Sequence, residues 1–556
     1  MTLSLIEIMA NRARGGRRSC YNAEDAFRIL MEDIDSDEED FEELEIAGVE
    51  VEEQSNSSDQ EEDNSDVENP PSHLQGNDGT IWRPESRASS TGRTARKNIV
   101  QNPGGAKRFI LARANNPIDV FFELWGPTTF ADICEKTIQE ARLQRDKDFS
   151  MSVEELKAFL GLSIIRGVLK GRSEPLSSFW SDNYGRRIFG QTMSRQKYKD
   201  ILRYIRFDDK QTRHRRKSDD KYAPIRELWQ KVMDNAQKCF YPYGHVTIDE
   251  QLFPCRSRCS FIQYMPNKPS KFGIKFWLLC DSKTSYILQA FPYVGKEDNR
   301  VGLGLGEHVV CTLMEPYRKS GLNVTTDNFF TSLRVARHLL KDDMTIVGTL
   351  RQNRREVPSE LKQKDVSLYS SRVLFSDDDI MLLSYKAKKD KVVLLLSSMH
   401  RSASVSENDP KRKPEPILFY NSTKGGVDTA DEMLRGYSTK SATRRWPLAV
   451  FFNLIDIVAL NTFVICSDSG ITRKRRRDFL ISLGEELCNA SATEVSRGMM
   501  PSSSGDDVDK GMCRTSLKRT TCRQCQTNKT RSTCKKCSKF ICGTCANTVC
   551  DSCFEN

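Results

Sequence analysis

Val246-Thr-Ile-Asp-Glu-Gln-Leu252 opens a run of segments rich in β-branched and aromatic residues. Lys275-Phe-Trp-Leu-Leu-Cys280, Ser285-Tyr-Ile-Leu-Gln-Ala-Phe-Pro-Tyr-Val294 and Asn323-Val-Thr-Thr-Asp327 follow it, then Met344-Thr-Ile-Val-Gly-Thr-Leu350. Each has the length and composition of a strand. Helical spacing of apolar residues over about 307–317 precedes the fourth strand, and a second helix over 332–341 follows it. Three consecutive strands, a helix, a strand, a helix and a last strand predict an α/β sheet of ribonuclease-H type.

Outward from this core the texture changes on both sides. Asp119-Val-Phe-Phe-Glu-Leu-Trp125, Ser152-Val-Glu-Glu-Leu-Lys-Ala-Phe-Leu-Gly-Leu162 and Ser194-Arg-Gln-Lys-Tyr-Lys-Asp-Ile-Leu-Arg-Tyr-Ile205 carry apolar residues at helical spacing. In the second, Ser152 and Glu155 form a capping-box pattern. Residues 117–240 therefore read as mainly helical. Downstream, 354–414 is charged and strand-like in patches (382–385, 392–398), as an inserted β-rich subdomain is. Helical pattern returns from Gly426 to about Asn489.

The 556 residues are enough for three or four folding units at about 150 residues each. Residues 1–68 hold 22 acids and 5 bases, and residues 32–68 hold 19 acids and no base. Such a stretch cannot bury enough apolar surface to fold, so a disordered acidic tail is expected, continuing as a Pro/Gly/Ser/Arg-rich linker through residue 107. The rest carries 54 acids against 80 bases, a net charge of +26. A body this basic calls for a polyanionic partner. No run of about 18 uncharged apolar residues exists, so no membrane span is expected. The best candidate, 451–466, is broken by Asn453, Asp456 and Asn461 and reads as a core helix. The first residues lack a basic stretch followed by a long apolar one, so no secretory signal is expected and the 18 cysteines should be reduced.

Eight of those cysteines form four Cys-x2-Cys pairs: Cys522 with Cys525, Cys534 with Cys537, Cys542 with Cys545, and Cys550 with Cys553. A tight turn lets two thiolates reach one tetrahedral ion, and two pairs complete a zinc shell. Four pairs imply two structural Zn²⁺ ions, and metal ligation should supply most of the folding free energy of so small a segment. A cross-brace sets Cys522, Cys525, Cys542 and Cys545 on one ion, with Cys534, Cys537, Cys550 and Cys553 on the second; sequential pairing is the alternative. Ten Lys/Arg and no acid between Lys510 and Lys539 give the module a nucleic-acid-binding character. A protein-binding or ubiquitin-ligase finger is the competing reading. Cys255 and Cys259 have no nearby partner pair and read as structural thiols.

Asp249 and Asp327 end two of the strands, and Asp428 and Asp431 stand at a helix start after two glycines. Their i,i+3 spacing places the last two on one helix face. Carboxylates in a basic body that meets phosphates repel them unless hard cations such as Mg²⁺ intervene. Two such ions can activate an attacking oxygen and steady a leaving one. Strand-end aspartates also serve as turn and cap residues, and spacing alone leaves both readings open. Arg256 and Arg258, after the first strand, are candidate phosphate contacts, since guanidinium forks suit phosphate. The six histidines are dispersed and none is assigned a role.

Taken together, several motifs resemble the piggyBac-type DNA transposases over about residues 117–556. They are Phe121-Phe-Glu-Leu-Trp125, Glu155-Leu-Lys-Ala-Phe-Leu-Gly-Leu162, Met193-Ser-Arg195, Ile248-Asp-Glu250, Thr326-Asp-Asn-Phe-Phe-Thr-Ser332 and Val347-Gly-Thr349. Tyr420-Asn-x-Thr-Lys-Gly-Gly-Val-Asp-x-x-Asp431, Arg445-Trp-Pro447 and the terminal cysteines complete the set. The resemblance implies that Asp249, Asp327 and Asp428 are catalytic acids holding two Mg²⁺ (or Mn²⁺) ions, with Asp431 as ligand or near support. It implies DNA contacts at Asn328, at Arg351, Arg354 and Arg355, and at Trp446, for which a core role is the alternative. It further implies a homodimer in the nucleus that binds double-stranded DNA at terminal inverted repeats. The reaction implied is nicking, hairpin formation and strand transfer into TTAA targets. A domesticated nuclear DNA-binding or chromatin protein without transposition activity is the alternative.

The organisation expected is a disordered tail and linker (1–116), then a split helical dimerisation and DNA-binding domain (117–244 and 438–489). A split ribonuclease-H-like catalytic domain (245–353 and 415–437) carries the β-rich insertion (354–414). A linker (490–512) leads to the zinc-binding domain (513–556). The third cysteine pair stands where family members often use a histidine ligand, so the finger's DNA specificity does not carry over. The basic run Arg473-Lys-Arg-Arg-Arg477 is a candidate nuclear localisation signal, with DNA contact or plain surface as alternatives.

Overall fold

The five core strands pair side by side in the computed structural model, which describes residues 73–86 and 99–497 (except 267, 296–303, 364 and 406–408) with 520–521 and 529–530. Ile287–Pro292 pairs antiparallel with Phe272–Asp281, which pairs antiparallel with His245–Pro254. His245–Pro254 runs parallel to Asn323–Thr326, and that strand parallel to Thr345–Leu350. Parallel neighbours need crossovers. The helices Leu305–Met314 and Leu333–Lys341 lie in the connections leading to these two strands. The expected helix over 307–317 ends as a short 3₁₀ turn, Glu315–Tyr317, where Pro316 lacks the N–H to continue it.

The strand-like patches beyond the core extend the same sheet. Ser371–Ser376, Met381–Lys388 and Lys391–Ser397 form antiparallel hairpins, and the last pairs antiparallel with Thr345–Leu350, Val347 opposite Ser397. The reading of 69–107 as unstructured linker needs correction. Ile81–Arg83 pairs with Ser371–Ser376, and Leu74–Gln75 pairs with Ile81–Arg83 at the edge of the eleven-stranded sheet. One residue anchors this hairpin. Trp82 is fully buried and its indole N–H donates to the Glu356 carbonyl at 2.7 Å. A single tryptophan among polar residues barely alters composition, so a compositional reading passes over it. A short helix, Arg108–Arg113, also precedes the expected start of order at residue 117.

The helices form where capping and apolar spacing agree. Ser152 accepts from the Glu155 N–H at 3.2 Å while Glu155 accepts from the Ser152 N–H at 3.0 Å, completing the expected capping box. Pro117–Trp125 packs against the long apolar helix Trp446–Asp468, with Trp125 and Phe451 rings 5.8 Å apart. Trp446–Asp468 is the one helix among the described residues long and apolar enough to cross a membrane, and 94% of its apolar window is buried within the protein. It is a core helix, as its polar interruptions predict. Arg445 donates to the carbonyls of Leu202 and Ile205, tying this helix to the earlier helical segment.

Arg476–Arg497 runs eight residues past the linker boundary expected at 490. Ala490-Ser-Ala-Thr-Glu-Val-Ser-Arg497 has no apolar stripe, but extending a formed helix avoids the nucleation cost. The first unit of the chain ends at Glu494; in the second, Thr520–Thr521 pairs antiparallel with Lys529–Thr530. The eight cysteines expected to hold zinc, Cys522, Cys525, Cys534, Cys537, Cys542, Cys545, Cys550 and Cys553, lie outside the described residues, as does the acidic tail. Eight other cysteines, Cys255 and Cys259 among them, are described, and all are free thiols.

The helix Gly426–Gly436 packs across His245–Pro254 with Gly426 directly on Thr247. A Cβ at Gly426 would come within 2.6 Å of Thr247 Oγ1 and 3.3 Å of the Ser282 Cα. Gly426→Ala should therefore lower stability by about 1–3 kcal/mol by lifting this helix off the sheet. Denaturant unfolding measures it, and an unchanged midpoint contradicts the close approach.

Candidate active site

Thr247 and Thr325 sit opposite one another on parallel strands. Alternation places Asp249 on the same face as Thr247, and Asp327 is the first residue beyond Asn323–Thr326. Thr423, the last residue of the helix Glu415–Thr423, joins the two strands from above. Its carbonyl accepts from the Thr247 hydroxyl at 2.6 Å, and its hydroxyl lies 2.8 Å from that of Thr325. All three threonines are buried. Two glycines later the chain turns into Gly426–Gly436, and Asp428 falls in its first turn. Segments 176 residues apart in sequence are thus pinned at one point of the sheet.

The Thr326–Ser332 motif has a local physical account. Asp327 Oδ1 accepts from the Phe329 N–H at 2.9 Å, and the Asp327 carbonyl accepts from the Thr331 hydroxyl at 2.7 Å. Thr331 also meets the Thr326 hydroxyl at 2.8 Å, and Ser332 caps the next helix by accepting from the Val335 N–H at 3.2 Å. Gly348 lies beneath this turn; a Cβ there would sit 2.2 Å from Thr331 Oγ1 and 2.7 Å from the Thr326 carbonyl oxygen. The glycine of Val347-Gly-Thr349 therefore lets the turn that presents Asp327 lie flat on its neighbour strand.

The acids influence one another. Burial, then the adjacent Glu250, then Asp327, push the Asp249 carboxyl up to about 8. Burial chiefly raises Asp327 as well; Glu250 adds to this, while the Phe329 N–H and the Arg351 guanidinium oppose it. Tyr420 is raised by burial and by the charges of Asp327, Asp249 and Asp428. Glu250 and Tyr420 carry no assignment from sequence. Both stand inside motifs, Ile248-Asp-Glu250 and Tyr420-Asn-x-Thr423, but an electrostatic role is legible only once strand and helix are adjacent. Among the described residues, no three His, Cys, Asp or Glu are gathered closely enough to hold a metal ion.

Asp431 accepts from Gln251 Nε2 at 2.9 Å and pairs with Arg435 at 3.3 Å. Together with Asp428 it borders a cavity of about 280 Å³ whose wall also carries Arg172, Lys268, Arg435 and Lys440.

The expected DNA contacts divide into exposed and structural groups. Arg351 is exposed; its Nε donates to Asn328 Oδ1 at 3.3 Å and its guanidinium lies 5.7 Å from the Phe329 ring centre. Arg355, Arg256 and Arg258 are exposed. Arg354 is half-buried and donates to the Thr331 carbonyl at 3.1 Å, so it braces the Asp327 turn. Trp446 stacks on Tyr222 at 5.5 Å and meets Phe261 edge-on at 5.1 Å, a packing role. In the basic run 473–477, Lys474 donates to Ser482 at 2.7 Å and Arg476 lies over the Tyr437 ring.

Residues 116–463 match the family described as Transposase IS4. The human PiggyBac transposable element-derived protein 3 is 26% identical over 331 residues, covering 55% of this chain and 54% of its own. The human PiggyBac transposable element-derived protein 2 is 22% identical over 414 residues, covering 69% of this chain and 67% of its own. The chain thus spans about half the length of the first of these relatives. Among solved structures, a piggyBac transposase seen by cryo-EM as a synaptic complex with hairpin DNA is 31% identical, with a TM-score of 0.69. That match covers 81% of this chain and all of the other. Family match, relatives and fold agree, and the chain belongs to the piggyBac-type transposases.

Proposed function

We propose that this chain is a cut-and-paste DNA transposase whose metal-binding acids are Asp249, Asp327 and Asp428. The observation that carries the reading is the Thr423 joint, which sets the strand of Asp249, the strand before Asp327 and the helix start of Asp428 beside one another. The strand order antiparallel, antiparallel, parallel, parallel supports a ribonuclease-H-like core.

By donor chemistry the residues present suit divalent cations, which would have to draw the acids together, since among the described residues no three are gathered closely enough to hold an ion. Asp327 raises Asp249, and Glu250 raises both. Crowded carboxylates of this kind favour a hard cation among them, Mg²⁺ or Mn²⁺. Bound there, two such ions would polarise the phosphate and sharpen an attacking oxygen. The chain's own part is positional. Asp249, Asp327 and Asp428 would act as ionised oxygen ligands. Arg351, steadied by Asn328 and Phe329, would offer its guanidinium to a DNA phosphate. Arg256, Arg258 and Arg355 would add charge along the duplex path. Arg354 would keep the Asp327 turn in place.

The full reaction we propose is nicking at terminal inverted repeats, hairpin formation and joining at TTAA, by a homodimer in the nucleus. The four cysteine pairs, from Cys522 with Cys525 to Cys550 with Cys553, would by their donor chemistry hold two Zn²⁺ ions in a module that binds repeat DNA. A second reading, a domesticated DNA-binding protein, draws on the "transposable element-derived" names of the human relatives.

Purified protein given its own element ends and Mn²⁺ or Mg²⁺ should produce nicked and hairpin products. Asp327→Asn should bind the ends equally well and cut them at least about a hundredfold more slowly. Specific binding without cutting supports the domesticated reading, and neither binding nor cutting contradicts both.

Asp249 also links metal binding to pH. Its folded value of about 8, against an ordinary 3.8, means the folded state holds the proton more tightly. Its contribution to stability is therefore full below about pH 4 and lost as pH rises through about 8. A cation that replaces the proton relieves that loss. The rise in melting temperature on adding Mg²⁺ should thus grow between about pH 6 and about pH 9. A rise of constant size contradicts the assignment.

A further inference from the structure

Asp431 is held differently from the other acids of the site. Asp249 and Asp327 each accept from a nearby backbone N–H, of Glu250 and of Phe329. Asp431 instead has a side-chain partner on each oxygen: Gln251 Nε2 at 2.9 Å from Oδ1, and Arg435 at 3.3 Å from Oδ2. Gln251 is buried, and its own Oε1 accepts from Asn453 Nδ2 at 3.0 Å. Asn453 is buried too, inside the apolar helix Trp446–Asp468. A chain of two amides thus joins that helix, the Asp249 strand and the Asp428 helix.

The direction of this chain is fixed by chemistry. An ionised carboxylate only accepts, so Gln251 must turn its NH₂ to Asp431 and its carbonyl to Asn453. The reverse orientation would set carbonyl against carboxylate and leave buried amides mismatched, which is costly.

We infer that Gln251 and Asn453 are positioning residues for the active site, and that Asp431 works through them to set the rotation of the helix carrying Asp428, without ligating metal. The inference rests on the proposed role of Asp428. Asp431 lies three residues on, on the same helix face, so whatever fixes one fixes the bearing of the other. The four residues border the same cavity.

A charge exchange tests this. Gln251→Glu sets two carboxylates face to face; it should melt lower than the wild type and nick DNA at least about tenfold more slowly. Adding Asp431→Asn restores a donor to an acceptor, because the new amide donates to the new carboxylate, which still accepts from Asn453. The double variant should regain most of both losses, with an unchanged Mg²⁺ concentration for half-maximal nicking. A double variant that melts like the wild type yet nicks no better than Asp428→Asn would show that position 431 needs its carboxylate as a ligand, overturning the inference. Melting shifts that simply add, without coupling, would overturn the amide chain itself. Failure of the wild type to nick would count against the proposed function, while the melting cycle still decides the amide chain.

Discussion

Thr423 is the joint on which the geometry of the proposed active site depends. Its carbonyl and hydroxyl meet two threonines on adjacent parallel strands, and the chain then turns through Gly425 and Gly426 into the helix of Asp428. Each buried hydroxyl contact contributes on the order of 1 kcal/mol. Their greater effect is on geometry. They set the distance from a helix start to two strand ends, and with it the relation among three acids that sequence holds far apart. Gly426 permits the approach and the two hydroxyl bonds fix it.

The same site shows why an electrostatically unfavourable cluster persists in a basic protein. Asp249, Glu250 and Asp327 crowd together, and burial removes the water that would screen them. The sheet beneath withstands this repulsion, because it is held by strand pairing and by a buried core that includes Ile248, Val324 and Ile346. The scaffold thus carries the cost of charging the acids, a cost that a bound cation would relieve in the proposed site.

Much of the fold was legible in the sequence because strand composition and helix caps are local. Val246–Leu252, Asn323–Thr325 and Thr345–Leu350 announce themselves by β-branched residues, and Ser152 and Ser332 by their hydroxyls at helix starts. The edge hairpin at 74–83 was not legible, since its support lies far along the chain, in the pairing with Ser371–Ser376 and in one indole N–H to Glu356 across 274 residues. The extension of Arg476–Arg497 was hidden because a polar helix tail has no periodic signal. In the site, the aspartates could be picked out by motif, but Thr423, Tyr420, Gln251 and Asn453 could not be given roles. The tertiary hydrogen-bond partners of Thr423, Gln251 and Asn453 lie 98 to 202 residues away, and only the folded sheet shows which polar groups must satisfy one another. Trp446 was open between DNA and core, and its stacking on Tyr222 shows how it is packed.

The most direct measurement is the location of Mn²⁺ by anomalous scattering in crystals of the protein bound to its DNA ends. Density for the ion is expected among the carboxylates of Asp249, Asp327 and Asp428, with Asp431 still bonded to Gln251. Mn²⁺ bound elsewhere, or none beside these three acids when DNA is in place, would contradict this.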